Sequence, residues 1–192
     1  IHHRVDADID QFSSQMGRFS LQSSSAWELS LHLQDQWRLL PRVTAELGAR
    51  ATTFLGDEGS FSGVEPRFSL LASANDDLSI SFSLTSIHQY MHPYRNSGMF
   101  LFYPTVFWYP STDRIRPTSS LHVSLGLEQS FSSNDYSISA ELFHRVTHDL
   151  HEFGFDQTAN SVNDLSNVIL LGTGRVSGAK LGVRKRGGVL SG

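Results

Sequence analysis

The sequence predicts an all-β chain: a transmembrane barrel of the antiparallel up-and-down kind, with about eight strands in these 192 residues. Three observations predict it. Apolar and polar residues alternate with period two in about eight segments, and no stretch reads convincingly as a helix. The connections between these segments alternate between short turns and long loops. The polar face of the alternation is mostly Ser, Thr, Gly and Gln, where a face washed by bulk water would be rich in Lys and Glu.

The elements follow in chain order. A weak first strand is centred on Val5, Ala7 and Ile9. The second sets Trp27, Leu29, Leu31 and Leu33 against Glu28, Ser30, His32 and Gln34. The third sets Val43, Ala45, Leu47, Ala49 and Ala51 against Thr44, Glu46, Gly48, Arg50 and Thr52. The fourth has Phe68, Leu70 and Ala72 on one face, and Leu71 breaks the polar pattern of the other. The fifth is clean, with Leu78, Ile80, Phe82 and Leu84 opposing Ser79, Ser81, Ser83 and Thr85. Two more run Leu121, Val123, Leu125, Leu127 and Tyr136, Ile138, Ala140, Leu142. A weaker last strand holds Ala179, Leu181 and Val183.

Short turns are predicted at Leu40-Pro41, Ala74–Asp77 and Ser132–Asp135, and long loops at 14–24, 56–63, 88–118 and 153–173. Trp27 and Trp37 share the apolar parity. At ~3.3 Å per residue and a tilt of ~45° they stand roughly 23–24 Å apart along a membrane normal. That matches the ~25 Å between the two aromatic girdles of an outer-membrane barrel. Asp35 falls on the same lipid-facing parity, one step from Trp37, at interfacial depth where a carboxylate costs little.

Composition narrows the classes. With no Cys there is no disulfide framework and no thiolate metal site. A net charge of −4 gives no electrostatic case for nucleic acid. Thirteen Phe, three Trp and five Tyr argue against disorder. No apolar run is long enough for a membrane helix, a test to which β-barrels are blind. The chain begins Ile1-His2-His3 and ends Leu190-Ser191-Gly192, so it reads as a piece of a longer protein.

Particular stretches resemble a known family. Leu31-His32-Leu33-Gln34-Asp35-Gln36-Trp37 through Pro41-Arg42-Val43-Thr44 is similar to the "QDxW" strand and tight turn of TonB-dependent outer-membrane receptors. Ala45–Arg50 resembles that family's next strand, and Val64-Glu65-Pro66-Arg67-Phe68 its "EPR" strand. Gln89–His92, Asn96–Gly98 and Trp108–Pro117 resemble a large extracellular loop of receptors of the Bacteroidetes type. Gly174–Leu181 resembles a "GxxxGxE" strand, with Lys180 where Glu is usual.

The resemblance covers roughly 25–186 and implies energy-coupled uptake of a scarce nutrient (siderophore, cobalamin, glycan or peptide) across the Gram-negative outer membrane. It also implies that residues 1–192 are an internal, partial section of a larger, 22-stranded barrel, without the plug domain, the TonB box or the closing strand. The partners it implies are outer-membrane lipid, the parent's own plug, the TonB protein and a small-molecule substrate. No cofactor is implied, and an open curved sheet with two unpaired edges is expected for the section alone.

Candidate chemistry is sparse. No nucleophile elbow, phosphate loop or paired-carboxylate signature is present, so no enzyme is expected. His144, His148 and His151 would share a helical face suited to zinc. On the predicted strand His144 and His148 lie on one side and His151 on the other. Arg184-Lys185-Arg186 reads as a solvated turn, with lipid headgroups as the minority reading.

The loop 88–118 is unusually aromatic and is stiffened by Pro93, Pro104, Pro110 and Pro117. It either packs inward or lines a substrate entrance. For the entrance Tyr94, Trp108 and Tyr109 offer flat faces and Arg95 and Arg114 offer cationic ones. Two rival readings stay open: a complete eight-stranded barrel with a structural or adhesive role, and a soluble carbohydrate-binding sandwich.

Overall fold

The computed structural model describes residues 2–8, 20–95, 106–131, 136–153 and 169–185. These form ten strands: β1 (His2–Asp8), β2 (Ser20–Leu40), β3 (Val43–Gly56), β4 (Gly59–Ser73), β5 (Leu78–Gln89), β6 (Met91–Arg95), β7 (Val106–Pro110), β8 (Thr118–Phe131), β9 (Tyr136–Phe153) and β10 (Ile169–Lys185). Eight pair into one antiparallel sheet in the order β1-β2-β3-β4-β5-β8-β9-β10, and β6 pairs with β7 as a separate hairpin. Apart from that excursion, every strand lies beside the next in sequence. β1 and β10 are the two edges, so these eight strands do not close on themselves.

The register separates the two faces. One row runs Trp37, Ala45, Leu70, Phe82, Leu125, Leu142 and Ala179 across seven strands. The adjacent row runs Gln36, Glu46, Ser69, Ser83, Ser124, Phe143 and Gly178. Period two therefore places the apolar residues on one face of the whole sheet. On that face Leu31, Leu33 and Leu181 are 77%, 79% and 85% exposed, and no second layer covers it among the described residues. A sandwich would have to bury this face, whereas a barrel turns it to lipid.

Trp27 and Trp37 both project from the apolar face, half exposed. The Trp37 indole N–H donates to Asp35 at 2.6 Å, so the outward carboxylate has a neighbouring donor at the girdle. On the inner face Ser83 and Ser124 are hydrogen-bonded hydroxyl to hydroxyl at 2.8 Å. The Lys180 ammonium, also inward, lies 3.4 Å from Glu141 and over the Phe143 ring.

At one end the connections are short. Pro41 and Arg42 turn β2 into β3, and Asn75 accepts from the Asp77 and Leu78 amides to shape the β4–β5 turn. The Arg42 guanidinium joins the two turns through Asp76 at 2.8 Å. The turn expected at 132–135 lies outside the described residues.

At the opposite end the strands run longer than predicted, up to the 21 residues of β2. A membrane crossing needs only about ten. The predicted long loop at 56–63 is absent. Gly56 pairs with Gly59 across the two-residue turn Asp57-Glu58. The sequence misled because Ser60, Ser62 and Gly63 mask the alternation of β4, which Pro66 interrupts again. Pro66 has no N–H to give, and the β4–β5 ladder stops beside it, at Arg67 opposite Thr85. Beyond that point the Glu65 carboxylate takes the His88 amide at 2.7 Å, where a backbone carbonyl would have served.

Candidate functional site

The buried side chains gather at this loop end, where the excursion between β5 and β8 meets the sheet. The excursion is anchored at two places. The first is apolar. Tyr90 stacks on Phe54 with ring centroids 5.4 Å apart and planes 6° from parallel, and Ala26, Phe61 and Met91 close the cluster. Phe54 is wholly buried. It lies on the inward face of β3, two residues beyond Thr52 and four beyond Arg50, which bonds Glu28 at 2.7 Å. The Tyr90 hydroxyl, the Thr52 hydroxyl and His88 Nδ1 are buried with no hydrogen-bond partner among the described residues. Burial, with Glu65 and Glu28 behind it, raises the Tyr90 phenol above its ordinary value.

The second anchor is polar and lies on the ends of β9 and β10. The His92 and His151 rings meet with centroids 3.9 Å apart. His92 Nε2 bonds the buried Ser111 hydroxyl at 2.9 Å, and His151 Nδ1 bonds the Tyr109 hydroxyl at 2.9 Å. His151 Nε2 lies 2.8 Å from the Arg116 carbonyl, which can only accept, so this nitrogen carries the proton and donates. In the neutral ring Nδ1 then accepts from Tyr109. Ile115 and Ile169 pack beside Tyr109. Burial pushes His92 down to about 3, with the neighbouring His151 adding to the effect. Burial also lowers His151, against the Arg116 carbonyl and Asp149, and raises the Tyr109 phenol.

A β-bulge aims His151 at this site. Asp149 has φ 51, and β9 spends three residues from Thr147 to Leu150 while β10 spends two from Gly174 to Gly172. Such an extra residue flips the alternation and twists the strand end. The partners of His144 and His151 are Ser177 and Leu171, six residues apart, so the two histidines share a side, contrary to the expectation from simple alternation. They serve different neighbours, since His144 bonds the Ser177 hydroxyl at 2.7 Å. Of the basic cluster, Lys185 lies over the Tyr136 ring, and Arg186 is outside the described residues.

The predicted entrance residues are distributed over the excursion. Tyr94 and Arg95 lie in β6, paired with Phe107 and Val106. Trp108, opposite Pro93 on β7, is half exposed. Tyr109, its neighbour, is buried in the polar anchor. Arg114 is exposed on the segment leading to β8. This segment is tied to the β3–β4 turn by the Asp113 amide, which donates to the Glu58 carbonyl at 2.9 Å. Gly59 permits the approach, because a Cβ there would meet the Asp113 nitrogen at 2.9 Å.

His92, Ser111, Ile115 and His151 were not singled out from the sequence as parts of one cluster. Three parts of the chain bring them together, β6, the segment after β7 and β9, and His151 arrives only through the bulge.

An open antiparallel meander, apolar and uncovered outside, hydroxyl-rich inside, with a folded excursion at its long-loop end, is a section of an outer-membrane β-barrel. The chain belongs to the TonB-dependent receptor family. The family profile described as "TonB dependent receptor-like, beta-barrel" matches residues 2–190.

Solved structures share the fold. The FrpB iron transporter from Neisseria meningitidis aligns over 88% of this chain and 25% of its own, with TM-score 0.61 at 13% identity. The ferripyoverdine receptor of the outer membrane of Pseudomonas aeruginosa aligns over 85% and 21%, with TM-score 0.57 at 15% identity. The alcaligin outer-membrane receptor FauA from Bordetella pertussis aligns over 88% and 28%, with TM-score 0.55 at 17% identity. The chain thus spans about a quarter of the length of these proteins. A comparison with curated proteins finds no match.

Proposed function

We propose that this chain is barrel wall and substrate vestibule of a receptor for energy-coupled nutrient uptake across the Gram-negative outer membrane. The parent's plug domain occupies the lumen, and TonB supplies the energy. Of the family's general range, a metal chelate of the siderophore kind is favoured. The structural relatives named above include an iron transporter, an alcaligin receptor and a ferripyoverdine receptor. Lipid covers the outward face.

The observation that carries the vestibule reading is the doubly anchored excursion, held at Phe54 and at His151, with Trp108, next to the anchored Tyr109, half exposed. The substrate face draws on Tyr94, Arg95, Trp108, Tyr109 and Arg114, of which Trp108 and Arg95 share one side of the hairpin and Tyr94 and Tyr109 the other. Trp108 supplies flat apolar contact and the two arginines meet anionic or hydroxylated groups, while Tyr109, on the other side of the strand, anchors the hairpin through His151. Deleting 95–110 in the full-length receptor tests it. Ferric chelates, cobalamin, oligosaccharides and peptides serve as probes, and binding of whichever probe the wild type takes is lost at normal surface expression. Unchanged binding at normal surface expression overturns the reading.

A further inference from the structure

We propose that His92 and His151 are positioning residues for the substrate face, a neutral imidazole pair that fastens the β6–β7 hairpin to the ends of β9 and β10 and releases it in acid. What is positioned rests on the reading above, whereas the fastening stands on geometry alone. The two ring centroids are 3.9 Å apart, the rings belong to strands outside any common hairpin, and each is spent on a hydrogen bond, His92 with the Ser111 hydroxyl and His151 with the Arg116 carbonyl. His92 holds Ser111, whose amide donates back to the Tyr90 carbonyl. His151 holds Tyr109 and the Arg116 carbonyl together, bracketing the segment that carries Arg114. Both ends of that segment therefore depend on two imidazoles.

A proton on either ring disturbs this. His151 has its Nε2 proton committed to Arg116, so a second proton goes to Nδ1 and reverses the bond from Tyr109. A proton on both rings puts two cations in contact in a buried site. Among the described residues, the ionisable groups flanking the pair on these elements are Tyr94 and Arg95 on β6, Tyr109 on β7, Asp113, Arg114 and Arg116 on the connecting segment, and His148, Asp149 and Glu152 on β9. The facing end of β10 offers only Ile169, Leu170 and Leu171. Asp149 favours charge on His151, so His151 is the first to take a proton and His92 the second.

The sign follows from linkage. Both histidines are harder to protonate when fastened than the ordinary value of about 6.5. Fastening is then fully present above pH 6.5 and weakens as the pH falls. Each histidine moves the balance toward release about tenfold per pH unit, until the pH reaches its own fastened value.

Hydrogen exchange on the full-length receptor in detergent tests this, read on peptides covering 106–118 from pH 7.5 to 4.5 and corrected for intrinsic exchange. The expected result is constant protection above pH 6.5 and a loss of about tenfold or more between pH 6 and 5, with the double variant His92→Gln, His151→Gln losing the acid response. Protection that stays flat to pH 4.5 in the wild type overturns the proposal, and so does an unchanged acid response in the variant. Should the variant fail to fold, the wild-type profile alone decides. A flat profile removes the clasp and leaves the substrate face to its deletion test. Retained substrate binding in that deletion removes the face and leaves the clasp.

Discussion

Tyr90 carries the apolar anchor almost alone. It joins β5 to β6, covers Phe54, and presses its hydroxyl against the space that Gly63 leaves open, where a Cβ would come within 2.9 Å. The ring and the hydroxyl have opposite consequences. The ring removes a large apolar surface from water, so Tyr90→Ala is expected to destabilise the full-length receptor by about 3–5 kcal/mol. The hydroxyl is buried with no partner among the described residues, and Tyr90→Phe is expected to be neutral or to stabilise by up to about 1 kcal/mol. Thermal unfolding of both variants in one detergent checks the pair, and a Phe variant as damaged as the Ala variant contradicts the assignment. The aromatic character of this segment was plain in the sequence. Which rings pack and which stay exposed was not, because Tyr109 and Trp108 are adjacent and alike in composition, yet one is buried and the other half exposed.

Among the elements, the β3–β4 turn shows where pattern reading stops. Its residues looked like a loop because glycine and serine carry no hydrophobic signal, yet Thr53 and Ser62 face each other 3.2 Å apart across a continuous ladder. The short turn has a use. It brings the Glu58 carbonyl to the Asp113 amide, and Gly59 leaves room for the contact. Gly59→Val is expected to push the 111–117 segment off the turn at a cost of about 1–3 kcal/mol. Faster exchange at the Asp113 amide, with the sheet amides unchanged, is the sign to look for. The bulge in β9 is the matching case at the polar anchor. One inserted residue, with Asp149 at φ 51, reverses the side on which His151 emerges. Nothing in a period-two count announces such an insertion.

At the scale of the whole molecule, the sheet has a face for lipid and a face for a polar interior, and neighbouring residues on β2 report them. Leu31→Arg, midway between Trp27 and Trp37 on the outward face, is expected to cost about 2–4 kcal/mol in lipid vesicles. His32→Arg, one residue on and facing inward, should cost little. Urea unfolding of the two full-length variants reports the difference, and equal costs would contradict the assignment of faces. The division itself was written in the alternation of Leu and Ser, because a strand has no choice but to send neighbouring side chains to opposite sides. Strand order was legible too, since short turns force neighbours in sequence to pair. The sequence by itself thus determined the class of fold, the two faces and the end that carries the excursion. Only the tertiary structure decided where the excursion docks. Tyr90 meets Phe54 on β3, and Tyr109 and His92 meet His151 on β9, four places along the sheet order. The reason is physical. Alternation acts between adjacent residues, while these contacts join residues dozens apart whose meeting depends on a Pro-interrupted ladder, a tight turn and a bulge acting together.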